Sequence, residues 1–239
     1  MQPIVVLEHL PHEHPGVLAE VLDGRAVPWR TARLHAGDPV PAGPAGLGGV
    51  VVLGGDMNTD QTAQFPHLED ERRLLTVCVA AGTPVLGLCL GAQLLAEAVG
   101  GTVVHTTPEI GYIPLRLTPA GGDDALLSVL ADGTPTFNAH GDTIAAAPGA
   151  VVLAGSAQTA RQALRVGERA WAMQFHPEMD AGMVAEYIRA TGVPAYLRAN
   201  GWEPEDLLAE AHRHEAAHRA MGAALLGRWV DLAVVDGAG

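Results

Sequence analysis

The chain has 239 residues, 48% of them hydrophobic and 17% charged, so it can fill the core of one large domain, or of one domain plus an appendage, and is not a disordered segment. Its formal net charge is −13, and its 14 basic residues are all arginine. That balance argues against nucleic acid or an anionic membrane as the main partner. Two cysteines, Cys78 and Cys89, do not make a disulfide framework. No apolar run reaches the ~18 residues needed to span a bilayer. The opening MQPIVVLEHLPHEH lacks the basic start of a signal peptide. A reducing cytoplasm is the expected location, and a free thiol can stay reactive there.

Strand and helix patterns alternate through the first two-thirds. PIVVLEH reads as a strand, and a helix runs from near Pro15 to Gly24. AVPWRTARL is a second strand, and DPVPAGPAGLG a Pro/Gly loop. GVVVLGG is an apolar strand ending in two glycines, as expected of a strand buried on both faces. An amphipathic helix is expected over Ala63–Ala81, then the buried strand TPVLGL, then a helix over Ala92–Val99. This order predicts an α/β fold, with a mostly parallel central sheet and helices on both faces. After Gly101 come short strands: TVVH, GYIPLRL, TPTFNA, AVVLAGS, ARQALRV and AWAMQF, with DDALLSVL as a helix among them. DAGMVAEYIRATG resumes as a helix. Residues 1–192 are expected to form the main domain and residues 193–239 a C-terminal helical extension, whose helix from about Glu203 to Ala233 has enough apolar residues to cover a face of the domain.

Cys89 lies where TPVLGL meets the next helix, with Gly87 and Gly91 two positions to either side. That is the spacing of a nucleophile elbow. The turn lifts the side chain out of the sheet, aims the Leu90 N–H at a reacting carbonyl and sets the sulfur at a helix N-terminus, where the dipole favours thiolate. The other reading is a packed core thiol. Cys78, in the helix pattern LLTVCVAA without turn glycines, reads as core.

A thiol nucleophile needs an imidazole, and the imidazole an orienting carboxylate. In AWAMQFHPEMD, His176 and Glu178 follow a buried strand at i and i+2, a spacing that puts both on one side. Alternatively they are two polar residues at a strand end.

GLCLGAQ together with FHPE resembles the class I, triad-type glutamine amidotransferases, and VVLGGDMNTD resembles that family's oxyanion loop. EIGYIPLRL and NAHGDTI look like segments of stand-alone proteins similar to the amidotransferase part of GMP synthase. The resemblance runs from roughly Val50 to Gly192 and implies a flavodoxin-like amidotransferase fold. It implies Cys89 as nucleophile, His176 as general base and acid, and Glu178 as the group that orients it. It also implies an oxyanion hole from the Gly55 and Leu90 N–H groups, and Gln93, His140, Gly141 and Asp142 near the substrate. It calls for no cofactor and no metal.

The substrate expected from it is glutamine or another γ-glutamyl amide, cleaved through a thioester, with a separate synthase partner to take the ammonia. Asp56 stands where the family commonly has proline, so the Gly54–Gly55 peptide is expected to flip easily until a partner fixes it. Asp56 itself reads as a solvated loop acid. A stand-alone γ-glutamyl hydrolase is the alternative enzyme, and a non-catalytic binding or regulatory protein the alternative of another class. A homodimer is compatible with the sequence.

Two clusters receive bland readings. HEAAH, from His214 to His218, matches a zinc-protease pattern, with Asp231 or Asp236 as the nearest further ligand. It lies in an Ala-rich charged stretch, and His212, His214 and His218 read as a solvated helix face. His9, His12 and His14 read the same way. With no lysine, the chain has no phosphate-binding G-x-x-x-x-G-K loop.

Overall fold

The computed structural model describes residues 1–234; the end of the C-terminal extension, with Asp236, lies outside the described residues. In chain order the elements are β1 (Ile4–Glu8), α1 (Val17–Gly24), β2 (Trp29–Arg33), β3 (Gly49–Val52), α2 (His67–Ala81), β4 (Val85–Leu88) and α3 (Leu90–Ala98). There follow β5 (Thr102–Pro114), β6 (Arg116–Leu117), α4 (Pro119–Gly122), β7 (Pro135–Ala146), β8 (Val151–Gly155), β9 (Ala163–Val166) and β10 (Ala170–Met173). The chain then forms α5 (Ala181–Tyr187), α6 (Val193–Ala199) and α7 (Pro204–Val234).

One sheet has the strand order β2-β1-β3-β4-β10-β9-β8-β6. Its first five strands are parallel to one another and its last three antiparallel. The mostly parallel α/β architecture is the one read from the sequence. Alternation along β1 shows how both faces are covered. Ile4 and Val6 join a core built with α1 and α7, while Val5 and Leu7 join a second core built with α2 and α3. β5 and β7 pair separately as a long antiparallel ribbon.

Several expected elements differ from those observed. DDALLSVL is not a helix, and only a short 3-10 turn forms there, at Leu127–Val129. Asp124 Oδ1 accepts hydrogen bonds from the Leu126 and Leu127 N–H groups and from Trp171 Nε1, which ties the start of this turn to β10. TVVH and the start of GYIPLRL are one 13-residue strand, with one register shift between Thr102 and Val103 and another between His105 and Glu109, where Pro108 lies. TPTFNA continues through HGDTI within β7. α2 starts at His67, just after Pro66, since a proline disfavours helix at the residue before it.

α7 is long, and its C-terminal half belongs to the sheet's core. Leu225, Leu226, Trp229 and Val230 pack with α1 and the strands, and Trp229 is 0% exposed. No helix among the described residues is long and apolar enough to cross a membrane. Trp229→Ala is expected to lose about 3–5 kcal/mol of stability. Thermal melts of the two proteins check this, at roughly 2–4 °C per kcal/mol for a chain of this size.

Candidate active site

The candidate site lies at the carboxyl ends of adjacent strands, where ligands bind in open parallel sheets. His9 follows β1, Gly54 and Gly55 follow β3, Cys89 follows β4, and Gln174 and His176 follow β10. Since β1, β3, β4 and β10 are neighbours in that order, four separate stretches of sequence meet in a row.

Cys89 caps α3 with φ 49° and ψ −104°, and it is one of two non-glycine residues at positive φ among the described residues. Its N–H donates to the Met173 carbonyl at 2.8 Å, which ties the turn to the end of β10. The flanking glycines are required by close approach. A Cβ at Gly91 would strike the Val52 carbonyl, and one at Gly87 would strike the Gly91 carbonyl. α3 therefore starts directly on the sheet.

His176 and Glu178 are both buried, and His176 Nδ1–H donates to Glu178 Oε1 at 2.7 Å. Burial alone would depress the imidazole pKa. The Glu178 carboxylate and a hydrogen bond to the Cys89 sulfur outweigh it and hold the pKa well above the usual histidine range. The structure thus brings Cys89, His176 and Glu178 together in one line. Cys78 is fully buried in the α2 core, and burial pushes its thiol pKa up to about 11.

A cleft of about 290 Å³ opens at Cys89; Gly55, Gln93, His140, Gly141 and Asp142 all line it, and Leu90 lies beneath as the first residue of α3. Gln93 Nε2 donates to the Asp142 carbonyl at 3.2 Å, and His140 Nδ1 lies 3.0 Å from the same oxygen. These two side chains shape the Gly141–Asp142 backbone that faces the cleft. The Asp142 carboxylate turns to His105, 2.6 Å away on β5.

Other residues at the site carry no signal in a local motif. Gln174 Nε2 donates to Cys89 Sγ at 3.6 Å, while its Oε1 accepts from Gln93 at 3.4 Å. The one available hint was its place two residues before His176. Tyr187 and Tyr196 close the far wall from α5 and α6. Glu13 reaches into the cleft although it is 6% exposed, and its Oε2 has no hydrogen-bond partner among the described residues. Burial pushes its pKa up to about 7; His176 opposes the rise, while Asp56 and Glu178 add to it.

Asp56 is an exposed loop acid, as read from the sequence, and it also lines the cleft, where partial burial of its carboxyl raises its pKa against the opposing pull of His12. Two expectations need correction. His9 is not a solvated residue but is 0% exposed, with Nδ1 2.8 Å from the Gly54 carbonyl and Nε2 3.0 Å from Glu71. The Gly54 carbonyl therefore has a hydrogen-bond partner in His9. HEAAH does not form a solvated face either. His214 stacks on Tyr112 at 4.4 Å, and buried His218 donates from Nε2 to the His176 carbonyl at 3.0 Å, with its pKa lowered to about 4 by burial.

A parallel sheet clad on both faces, with a cysteine elbow and a His–Glu pair on its carboxyl edge, defines an amidotransferase-type α/β architecture. The chain belongs to the class-I glutamine amidotransferase family, whose model matches residues 31–191. It is 30% identical over 170 residues to a glutamine amidotransferase-like protein of Salmonella typhimurium, covering 70% of each chain. It is 43% identical over 98 residues to a glutamine-hydrolysing GMP synthase of Porphyromonas gingivalis; that match takes in 40% of this chain and 19% of the synthase. Among solved structures it resembles a glutamine amidotransferase of Methylobacillus flagellatus, with TM-score 0.87 and 27% identity over 97% of this chain and 95% of that one.

Two stability predictions follow from the site. A side chain at positive φ is strained where glycine is not, so Cys89→Gly is expected to melt higher than Cys89→Ala, by about 1 kcal/mol. Glu13 has its pKa raised in the fold, so the folded protein resists ionisation that the unfolded chain accepts. Stability is lost as pH rises from the ordinary carboxylate range to about 7, and the loss persists above it. Glu13→Gln is therefore expected to stabilise on the order of 1–3 kcal/mol near pH 8 and hardly at all near pH 4. Melts across that range check the slope.

Proposed function

We propose that the protein hydrolyses the side-chain amide of glutamine through a γ-glutamyl thioester on Cys89. The observation that carries this reading is the continuous line from Cys89 to His176 to Glu178, closed by the 2.7 Å hydrogen bond. In this reading His176 takes the Cys89 proton, and the sulfur attacks the amide carbon. The resulting oxyanion is received by the N–H groups of Gly55 and Leu90, the latter having no acceptor within its own helix because it is the first residue. His176 then protonates the leaving nitrogen, and ammonia departs. Water activated by His176 cleaves the thioester, which frees glutamate and restores the thiol. Glu178 holds the imidazole in position. Gln93 and His140 set the Gly141–Asp142 backbone against the substrate's amino-acid end.

The ammonia would pass to a separate synthase. What supports this is the similarity to GMP synthases in which the matched region is about a fifth of a longer chain. A second reading, a stand-alone hydrolase of another γ-glutamyl amide, draws support from the anchored Gly54 carbonyl, which leaves no need for a partner to set that peptide. The buried Glu13, which feels His176, and the cleft acid Asp56 would favour amides whose departing amine is cationic. Steady-state kinetics on glutamine and on γ-glutamyl amines, with and without host lysate, separate the two. Lysate-dependent glutaminase activity supports the coupled reading. Efficient turnover by the pure protein, with kcat/KM of at least about 10⁴ M⁻¹s⁻¹, supports the hydrolase.

Both readings predict the same residue effects. Iodoacetamide should label Cys89 far faster than Cys78, and Cys89→Ala should fold but not turn over. His176→Ala should lose about 10²–10⁴ in rate, and Glu178→Ala less. An active Cys89→Ala protein, or a Glu178 variant worse than the His176 variant, would falsify these roles.

A further inference from the structure

We propose that His9, held between Glu71 and the Gly54 carbonyl, is a positioning residue that aims the Gly55 N–H into the Cys89 cleft. The inference rests on the thioester reading above and extends it to a residue outside the cysteine–histidine–glutamate line.

Both of the atoms facing the ring are acceptors. Nδ1 lies 2.8 Å from the Gly54 carbonyl oxygen; Nε2 lies 3.2 and 3.0 Å from the two carboxylate oxygens of Glu71. A neutral imidazole carries one N–H, so it would set a lone pair against one of these partners. Satisfying both at hydrogen-bond distance requires the doubly protonated ring. Buried Glu71 completes the arrangement by accepting also from His67 Nδ1 at 3.0 Å. The titratable groups that face His9 are Glu71 and His67 on α2 and Glu13 on its own loop. Burial would lower the pKa of the ring, but the Glu71 charge and hydrogen bonds outweigh it and raise it.

The Gly54 carbonyl and the Gly55 N–H belong to one planar trans peptide and so point in opposite directions. Drawing the oxygen toward His9 turns the N–H away from His9. Gly55 lines the cleft with Cys89, and that is the side the N–H then faces. The two glycines are there because larger residues do not fit. A Cβ on Gly54 would overlap the Glu13 carboxylate and come within 2.9 Å of His176 Cε1, and one on Gly55 would lie 2.8 Å from Leu90 Cδ2. Glycine leaves the backbone free to adopt other conformations. The peptide needs an outside anchor, and His9 supplies one.

The test uses two variants of the full chain that divide the two contacts. Asn at position 9 can place its amide donor near Nδ1, toward Gly54; Gln can place its donor near Nε2, toward Glu71. Each is assayed for kcat and KM on glutamine and for the rate of Cys89 alkylation by iodoacetamide, which needs no oxyanion hole. His9→Gln is expected to lose about 10²-fold in kcat, with KM and alkylation within about threefold of wild type, as for one lost oxyanion donor. His9→Asn is expected to stay within about tenfold of wild-type kcat. Equal kcat losses in both variants, or a His9→Gln protein within about threefold of wild type, would overturn the proposal. Where His9→Gln does not fold, His9→Asn decides alone: kcat within about tenfold supports the anchor, and a loss of about 10²-fold or more overturns it. If wild-type turnover does not depend on Cys89, the thioester reading fails first, which the Cys89→Ala control reports separately.

Discussion

The site depends on a backbone constraint, the left-handed turn at Cys89. A φ of 49° is costly for a residue with a Cβ, by about 1–3 kcal/mol, and it persists only where surrounding contacts over-determine it. Here they do. The Cys89 N–H is bound to the end of β10, Gly91 lies on the Val52 carbonyl at the end of β3, and Gly87 lies against Gly91. The turn is locked to the two strands that flank β4, and the residues that follow those strands are the Gly54–Gly55 pair and the Gln174–His176 segment. Parallel pairing thus does the positioning. Register between β3, β4 and β10 sets how the Gly54–Gly55 loop, the cysteine and the histidine are staggered.

The same strand ends concentrate buried charge. Glu13, Glu71, Glu178, His9 and His176 are all buried around the Gly54 region. Such groups are expensive to desolvate, and an ion pair in the interior rarely repays that cost in net stability. Their retention is better understood as orientation. His9 pairs with Glu71 and the Gly54 carbonyl, and His176 Nδ1 pairs with Glu178 Oε1. Glu13 has no such partner, which is why its carboxyl, unlike that of Glu71, has a raised pKa. The chain is least favourable to itself at the cleft, where a substrate would lie.

What the sequence disclosed about this site follows from how far apart its partners lie. Cys89 with its two glycines, and His176 with Glu178, are local patterns, and a strand-to-helix corner or an i, i+2 pair can be read from a few residues. His9 meets Gly54 across 45 positions and Glu71 across 62, and His218 meets His176 across 42. No local spacing marks those meetings. A histidine in a polar-looking loop and one on an Ala-rich helix look alike until the tertiary fold buries them. The parallel core was legible because its strands are apolar runs bounded by glycine and proline. The segment at Asp123–Leu130 was not, because its leucine spacing suits a helix locally while the partners that hold Asp124, Arg165 and Trp171, lie 41 and 47 positions away.

α7 shows the same principle from the other side of the site. Its last turns are hydrophobic core, yet its middle turns run along the segment that follows His176. Gly222 lets the helix approach until a Cβ there would strike the Pro177 carbonyl. His218 donates to the His176 carbonyl at 3.0 Å, Glu215 accepts from the Ala181 N–H at 2.7 Å, and Arg219 reaches Asp180 at 2.7 Å. The first two contacts fall on backbone groups of His176 and Ala181 and the third on the Asp180 side chain; residues 176–180 between them lie outside the sheet and the helices. A carbonyl buried without a donor would be costly, so a neutral, buried His218 is well suited to this position. The helix that looked like an appendage in the sequence therefore adds, through side chains, to the restraint that the segment after Met173 draws from the Gln174–Gln162 and His176–Phe137 backbone bonds.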